Sequence, residues 1–148
     1  MSKLSAFLNP IYTSEEKEII VSDRFVKRGE DGEPLLDKNG KMIPEPFKIR
    51  ALTQEEMSAA VKKATRQIRN KGQVTEQLDN TALARYVIVA GTVSPNFSSQ
   101  EMCEHYGVVD PSFVPAKMLF AGEHAKLSDA IMELSGYDGE DAAEEAKN

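Results

Sequence analysis

Apolar positions alternate along the first third of this chain and recur every three to four residues along the rest. Glu18-Ile19-Ile20-Val21-Ser22-Asp23-Arg24-Phe25-Val26 is rich in β-branched and aromatic residues, which suit a pleated surface, and predicts a strand. Gly29, Asp31-Gly32 and Asn39-Gly40 then punctuate the apolar residues Leu35, Leu36, Met42 and Ile43, predicting a turn-rich β segment across 30–45. After Pro44 and Pro46, the residues Phe47, Ile49 and Ala51 alternate with Lys48 and Arg50, as in a strand with one buried face. This strand is expected to return beside the first.

At Thr53 the period lengthens. Thr53 and Glu56 form a capping-box pattern, and Met57, Val61, Ala64 and Ile68 follow at helical spacing, so a helix is predicted from Thr53 to near Gly72. A second runs from Asp79 to Ala90, with Leu83, Val87 and Ala90 on one face and Gly91 as its stop. Ser98 and Glu101 repeat the capping pattern for a short helix to Tyr106, ended by Gly107. Asp110 with Pro111 reads as the cap and first position of another, anchored by Phe113, Met118 and Leu119. Gly122 to Ser135 is the last amphipathic helix, with Leu127, Ile131 and Leu134 inward and Gly136 closing it. Met57, Met102, Met118 and Met132 fall mostly on apolar helix faces and are read as core.

These elements predict an α+β fold, mostly α-helical, with an N-terminal β-hairpin or small antiparallel sheet packed on four to five short helices. One domain is expected over 1–137, with a β element at 18–52 and a helical part at 53–137. From Asp138 to Asn148, five acids against one lysine leave too little apolar surface to offset the entropy of ordering, so an acidic disordered tail is expected there.

Composition narrows the function classes. A length of 148 residues suits one core, and 41% hydrophobic with 28% charged residues is ordinary for a globular chain. The net charge of −6 disfavours a general nucleic-acid binder, which needs a cationic surplus. A single cysteine, Cys103, cannot form an internal disulfide and fits a reducing cytoplasm. The N-terminal residues lack the apolar stretch of a signal peptide, and no segment approaches the roughly 20 apolar residues that span a bilayer, so no membrane role is expected.

Chemistry-bearing motifs are sparse, and neither catalytic nor metal-binding residues nor a cofactor is predicted. His105 lies late in a short helix, where a histidine complements the dipole, and His124 is read as an exposed residue. Cys103 and His105 are two apart on a helix and point to different faces, which rules out a nucleophile and base pair. Asp31, Glu33, Asp37 and Asn39 miss the alternation and terminal Glu of a calcium loop, and Gly29 and Gly32 precede no lysine and hydroxyl pair opening a helix. The strongest charge feature is Lys62, Lys63, Arg66, Arg69 and Lys71, five cations without an intervening acid. Three readings stand: complementing a helix C-terminus in solvent, docking an acidic partner or the chain's own tail, and nucleic acid. The first carries most weight and the last least. Lys62, Lys63, Arg66 and Arg69 are the candidate partner-binding residues.

Several segments, in their order, resemble the XkdN-like phage tail assembly chaperones of Gram-positive phages and prophages. The likeness rests on Phe47-Lys48-Ile49-Arg50-Ala51-Leu52-Thr53-Gln54-Glu55-Glu56, Thr92-Val93-Ser94-Pro95-Asn96-Phe97, Glu104-His105-Tyr106-Gly107-Val108, and Lys117-Met118-Leu119-Phe120-Ala121-Gly122-Glu123 followed by Leu127. The family-like positions are Arg50, Leu52, Thr53, Glu56, Pro95, Tyr106, Gly107, Met118, Leu119, Gly122, Glu123 and Leu127. What the resemblance implies is a non-enzymatic chaperone in the cytoplasm of the bacterial host. It would bind the tape measure protein and keep it soluble while tube subunits assemble, and would be absent from the finished virion. Relatives of this kind often have a longer, frameshifted form. The major tail tube protein and a second copy of the chain are further implied partners. The rival readings are a structural component retained in the tail and a nucleic-acid adaptor.

Overall fold

A computed structural model describes residues 3–12 and 14–137. Helix α1, Leu4–Leu8, is a short N-terminal turn with no buried residue. Strand β1, Glu16–Ile19, pairs antiparallel with β2, Phe47–Arg50, so that Glu16 faces Arg50 and Ile19 faces Phe47. The return of the second strand beside the first is therefore observed. The first strand, however, is shifted from the predicted 18–26, because its ladder ends where β2 begins at Phe47. Val21 leaves the ladder and enters the core, and the Ser22 hydroxyl accepts from the Arg24 N–H at 3.1 Å in a turn.

Residues 25–45 form the expected turn-rich meander. It has only isolated bridges, Val26 with Pro44, Arg28 with Pro34 and Leu36 with Met42. The Asp37 carboxylate accepts from the N–H groups of Asn39 and Lys41, and Gly40 supplies the positive φ of 80° that this turn requires.

Helix α2, Gln54–Ala64, starts at the predicted capping box: Thr53 Oγ1 accepts from the Glu56 N–H at 3.2 Å, and Glu56 Oε1 accepts from the Thr53 N–H at 3.0 Å. It stops far short of Gly72. Residues predicted to continue it instead form β3, Thr65–Asn70, which pairs with β4, Gln73–Leu78. Lys71 and Gly72 join the strands with φ of 53° and 80°, the double positive φ of a tight hairpin turn. The Thr65 hydroxyl donates to the Val61 carbonyl at 2.7 Å, and the Asp79 N–H donates to the Ala64 carbonyl at 2.9 Å. The hairpin is thus an excursion from one corner, with its two ends drawn together at the end of α2. Ile68, expected in the core, is exposed on it.

Helix α3, Asn80–Gly91, is capped by the Asp79 carboxylate, which accepts from the Ala82 N–H at 3.1 Å. It is the central helix and contacts α2 as well as the two C-terminal helices. Gly91 is its last residue, with Thr92 as the cap. The chain then continues as β5, Thr92–Ser94, the third strand of a sheet ordered β1-β2-β5. A cis Ser94-Pro95 bond leads to α4, Gln100–Tyr106. The N-cap of α4 is Ser99, whose hydroxyl accepts from the Met102 N–H, one residue later than predicted. Gly107, at φ 67°, ends it as expected.

Helix α5, Phe113–Met118, also starts later than predicted, with Ser112 as its N-cap. Asp110 forms a local turn instead, accepting from the Ser112 N–H at 2.9 Å. Helix α6, Ala121–Leu134, matches the predicted last helix, and Gly136 follows with φ 100°. Its end is tied back to the strand-to-helix junction by Ser135 Oγ, which accepts from the Leu52 N–H at 2.9 Å and donates to the Ile131 carbonyl.

One contiguous core joins these elements. Phe47 and Ile49 of β2, Met57 and Ala60 of α2, Leu83, Val87 and Ile88 of α3, and Leu127 and Ile131 of α6 are all buried, with Phe97 sealed among them. Phe47 touches Phe25 edge-on at 5.6 Å between ring centroids and Phe97 at 6.5 Å, so the meander, sheet and helices share one aromatic contact. Met57 and Met132 are buried and Met102 and Met118 half-buried, as their helical spacing predicted. The α+β class is the observed one, although the sheet gains its third strand from after α3 and a second hairpin stands outside it. The expected acidic tail lies outside the described residues.

Candidate docking surfaces and family assignment

The five cations do not form the continuous helical stripe that their spacing suggested. Lys62 and Lys63 lie in the last turn of α2, while Arg66 and Arg69 lie on β3 and Lys71 in the hairpin turn. Side chains alternate across a strand, so Arg66 and Arg69, three apart, occupy opposite faces of the hairpin. Only Lys62 and Lys63 complement the α2 dipole. All five are exposed, and Lys63 Nζ sits 5.8 Å from the centroid of the Tyr86 ring.

Beside Lys63, α2 and α3 diverge over a groove of about 420 Å³. Ala59, Ala60, Ala90, Tyr86 and Val89 line it together with the acids Glu56 and Asp110. Small residues facing one another keep two helices from filling the space between them. The hairpin leaves the body at the end of α2, and among the described residues β3 and β4 pair only with each other, so both outer edges are unpaired. A two-stranded ribbon of this kind is marginal alone in water and offers backbone donors and acceptors to a further strand.

The family-like positions mainly hold junctions together. Arg50 grips Glu56 through two hydrogen bonds, one of them 3.0 Å between Nη1 and Oε1, which fixes β2 against the start of α2. The Arg50 guanidinium, the Thr53 amide N–H and the Thr53 hydroxyl together hold the Glu56 carboxyl down to about 2 against a desolvation that opposes them. Leu52 is buried, with its N–H on Ser135. Pro95 carries the cis bond, and Tyr106 with Gly107 ends α4. The Met118 carbonyl accepts from Arg24 Nη2 at 3.1 Å, and Leu119 and Leu127 are buried. Gly122 sits in the first turn of α6 with open space where a Cβ would be. Glu123 accepts from Arg24 and from the Phe120 N–H at 2.8 Å.

Two histidine readings separate here. His105 is exposed in the last turn of α4, edge-on to Tyr106 at 4.8 Å, as its position predicted. His124 is not exposed: it is half-buried, and its Nε2 is sealed from solvent without a hydrogen-bond partner. Burial foremost, and then the charge of Arg85, lowers its pKa from the ordinary value. Arg85 itself gave no sequence signal, standing alone in an apolar helix. Cys103 is half-buried, with its sulfur 3.8 Å from the Phe97 carbonyl. Among the described residues, no group of three or more His, Cys, Asp or Glu side chains could hold a metal ion, and no helix is long and apolar enough to cross a membrane.

A three-stranded sheet, a central helix, an open groove and a separate cationic hairpin define a small α+β protein. Its lineage is specific. The chain belongs to the phage XkdN-like tail assembly chaperone family, whose model it matches over residues 4–147. It is 31% identical over 140 residues to the phage-like element PBSX protein XkdN of Bacillus subtilis (strain 168), an alignment covering 91% of this chain and 86% of that protein. The crystal structure of the protein yqbn has the same fold, with a TM-score of 0.66 and 28% sequence identity over 93% of this chain and 99% of the other. The family and fold class expected from the ordered motifs are thereby established.

Proposed function

We propose that this chain binds the tape measure protein of its phage in the host cytoplasm, keeps it soluble while the tail tube assembles, and is absent from the finished virion. Membership of the tail assembly chaperone family supports the process, and the corner where α2 and α3 meet the hairpin supports the mode. There Lys63 lines an open groove that also holds Glu56 and Asp110, and Lys62, Arg66 and Arg69 follow at the end of α2 and on β3. An amphipathic helix laid in this groove would bury its apolar face against Tyr86 and Val89, and its acidic flanks would meet the cations. The hairpin, lacking sheet neighbours among the described residues, offers an unpaired edge to the bound segment. Release requires only that the major tail tube protein, or a second copy of the chaperone, compete for the same surface. In this reading residues 1–137 act as one domain, and the acidic tail 138–148 is a second ligand for the cations.

Co-expression with the tape measure protein of the same phage tests the proposal. The expected result is a larger soluble fraction of tape measure protein and its co-purification with the chaperone. No complex together with unchanged solubility would overturn it. Stoichiometric presence of the chain in purified particles, read by mass spectrometry, would make it a structural tail component instead.

A further inference from the structure

The arginines packed on the helical body are not treated alike. Arg24 and Arg50 each close their guanidinium on a carboxylate of this chain through two hydrogen bonds, to Glu123 and Glu56. Arg85 is half-buried in α3, yet none of the ion pairs among the described residues involves it. Its guanidinium carbon lies 4.2 Å from the centroid of the Phe113 ring and 5.8 Å from that of Tyr86. Among the described residues its one side-chain hydrogen bond is Nε to Ser112 Oγ at 3.5 Å, the outer limit of a hydrogen bond. Stacking on an aromatic face uses the flat side of the guanidinium and leaves the in-plane N–H fork open, the geometry that takes a carboxylate with two parallel bonds. In a chain carrying 24 acids against 18 basic residues, a half-buried arginine without an acid is a gap that the fold does not fill itself.

Arg85 lines a cavity of about 380 Å³ among α3, α5 and α6. Phe113, Ala116 and Leu119 supply carbon walls, and Thr81, Arg85 and His124 supply the polar groups. His124 borders the cavity with its ring, while its Nε2 is sealed from solvent. This cavity does not share a residue with the groove between α2 and α3.

We propose that the Arg85 cavity is a binding site for a carboxylate, taking an acidic side chain of the bound polypeptide partner. The carboxylate lies across the Arg85 fork beside the His124 ring, and the methylene stem rests on Phe113 and Leu119. Carbon walls around a single arginine favour a carboxylate on an aliphatic stem over a phosphate, which would need more donors. The identity of the partner rests on the reading under Proposed function; the chemistry of the cavity does not.

Titration of the full-length chain with benzoate, followed by NMR at the His124 and Phe113 rings, tests the site. Saturable shifts at both rings are expected, with a dissociation constant on the order of 1 mM. Benzamide, the uncharged counterpart, and inorganic phosphate should give no saturation at the same concentrations. Arg85→Gln should abolish binding, and Arg85→Lys, which keeps the charge and loses the fork, should weaken it by about tenfold. No saturation with benzoate, an equal response to benzamide or phosphate, or undiminished binding by a folded Arg85→Lys chain would overturn the proposal. Arg85→Gln should also reduce co-purification of the tape measure protein, and undiminished co-purification would remove the partner's acid from this cavity. If the unsubstituted chain itself captures no tape measure protein, the proposed function fails while the benzoate titration still decides the chemistry of the site.

Discussion

Arg24 and Glu123, 99 positions apart, are joined by two hydrogen bonds, Nε to Oε2 at 3.0 Å and Nη2 to Oε1 at 2.6 Å. The same guanidinium lies 3.9 Å from the centroid of the Phe120 ring and donates to the Met118 carbonyl. One side chain from the turn after β1 thus clamps the α5-to-α6 corner. Arg24, the Ser22 hydroxyl and the Phe120 N–H together hold the Glu123 carboxyl down to about 2 from an ordinary 4.5.

The sign of the resulting pH dependence follows. A carboxyl lowered on folding favours the fold while ionised, so its contribution is complete above about 4.5 and disappears as the pH falls toward 2. Glu123→Gln should lower the melting temperature at pH 7 and make no difference near pH 2. Glu56, also held to about 2, chiefly by Arg50, should behave in the same way. Thermal melts of the two variants across this range check the expectation, and added salt should shrink both effects because the pairs are partly exposed.

Gly91 should not tolerate alanine. A Cβ there would fall 3.0 Å from Cδ1 of Ile131 and closer still to its Cγ2, and both residues are buried. The clash should outweigh the helix propensity gained, giving a net loss of about 1–3 kcal/mol. Ile131→Ala leaves a cavity and destabilises by about 2–5 kcal/mol. The double variant should lose less than the sum, a coupling that urea unfolding of the four chains in the cycle would measure.

Thr53→Ala should reduce stability by about 1 kcal/mol through loss of the cap on the Glu56 N–H. Chemical unfolding gives the size of the loss. Amide exchange at Glu56 should accelerate in the same variant.

Arg66→Glu with Arg69→Glu should leave the fold within about 0.5 kcal/mol of the parent, since both side chains are exposed on the hairpin. The pair should nevertheless weaken co-purification of the tape measure protein and reduce its salt dependence. An unchanged complex would exclude the hairpin from the docking surface.

Local chemistry made much of this fold legible. Thr53 with Glu56 starts α2, Asp79 opens α3, Gly107 and Gly136 close α4 and α6, and the alternation of Phe47, Lys48 and Ile49 marks β2. The hairpin at 65–78 is hidden in the sequence because Ile68 continues the helical spacing of Met57, Val61 and Ala64. Asn70-Lys71-Gly72 carries a turn signal there, but hydrophobic period alone reads through it. The first strand was displaced because its limits come from the partner ladder rather than from its own residues.

By itself, the amino-acid order determined the fold class, the main helix and turn boundaries and the family, since caps, turns and periodic apolar faces depend on residues a few positions apart. Only the tertiary structure decided where α2 stops, which segment becomes the third strand, that Gly91 meets Ile131, and that Arg85 shares a cavity with His124. Those relationships arise from packing between segments distant in the chain, where distance and desolvation leave no periodic trace.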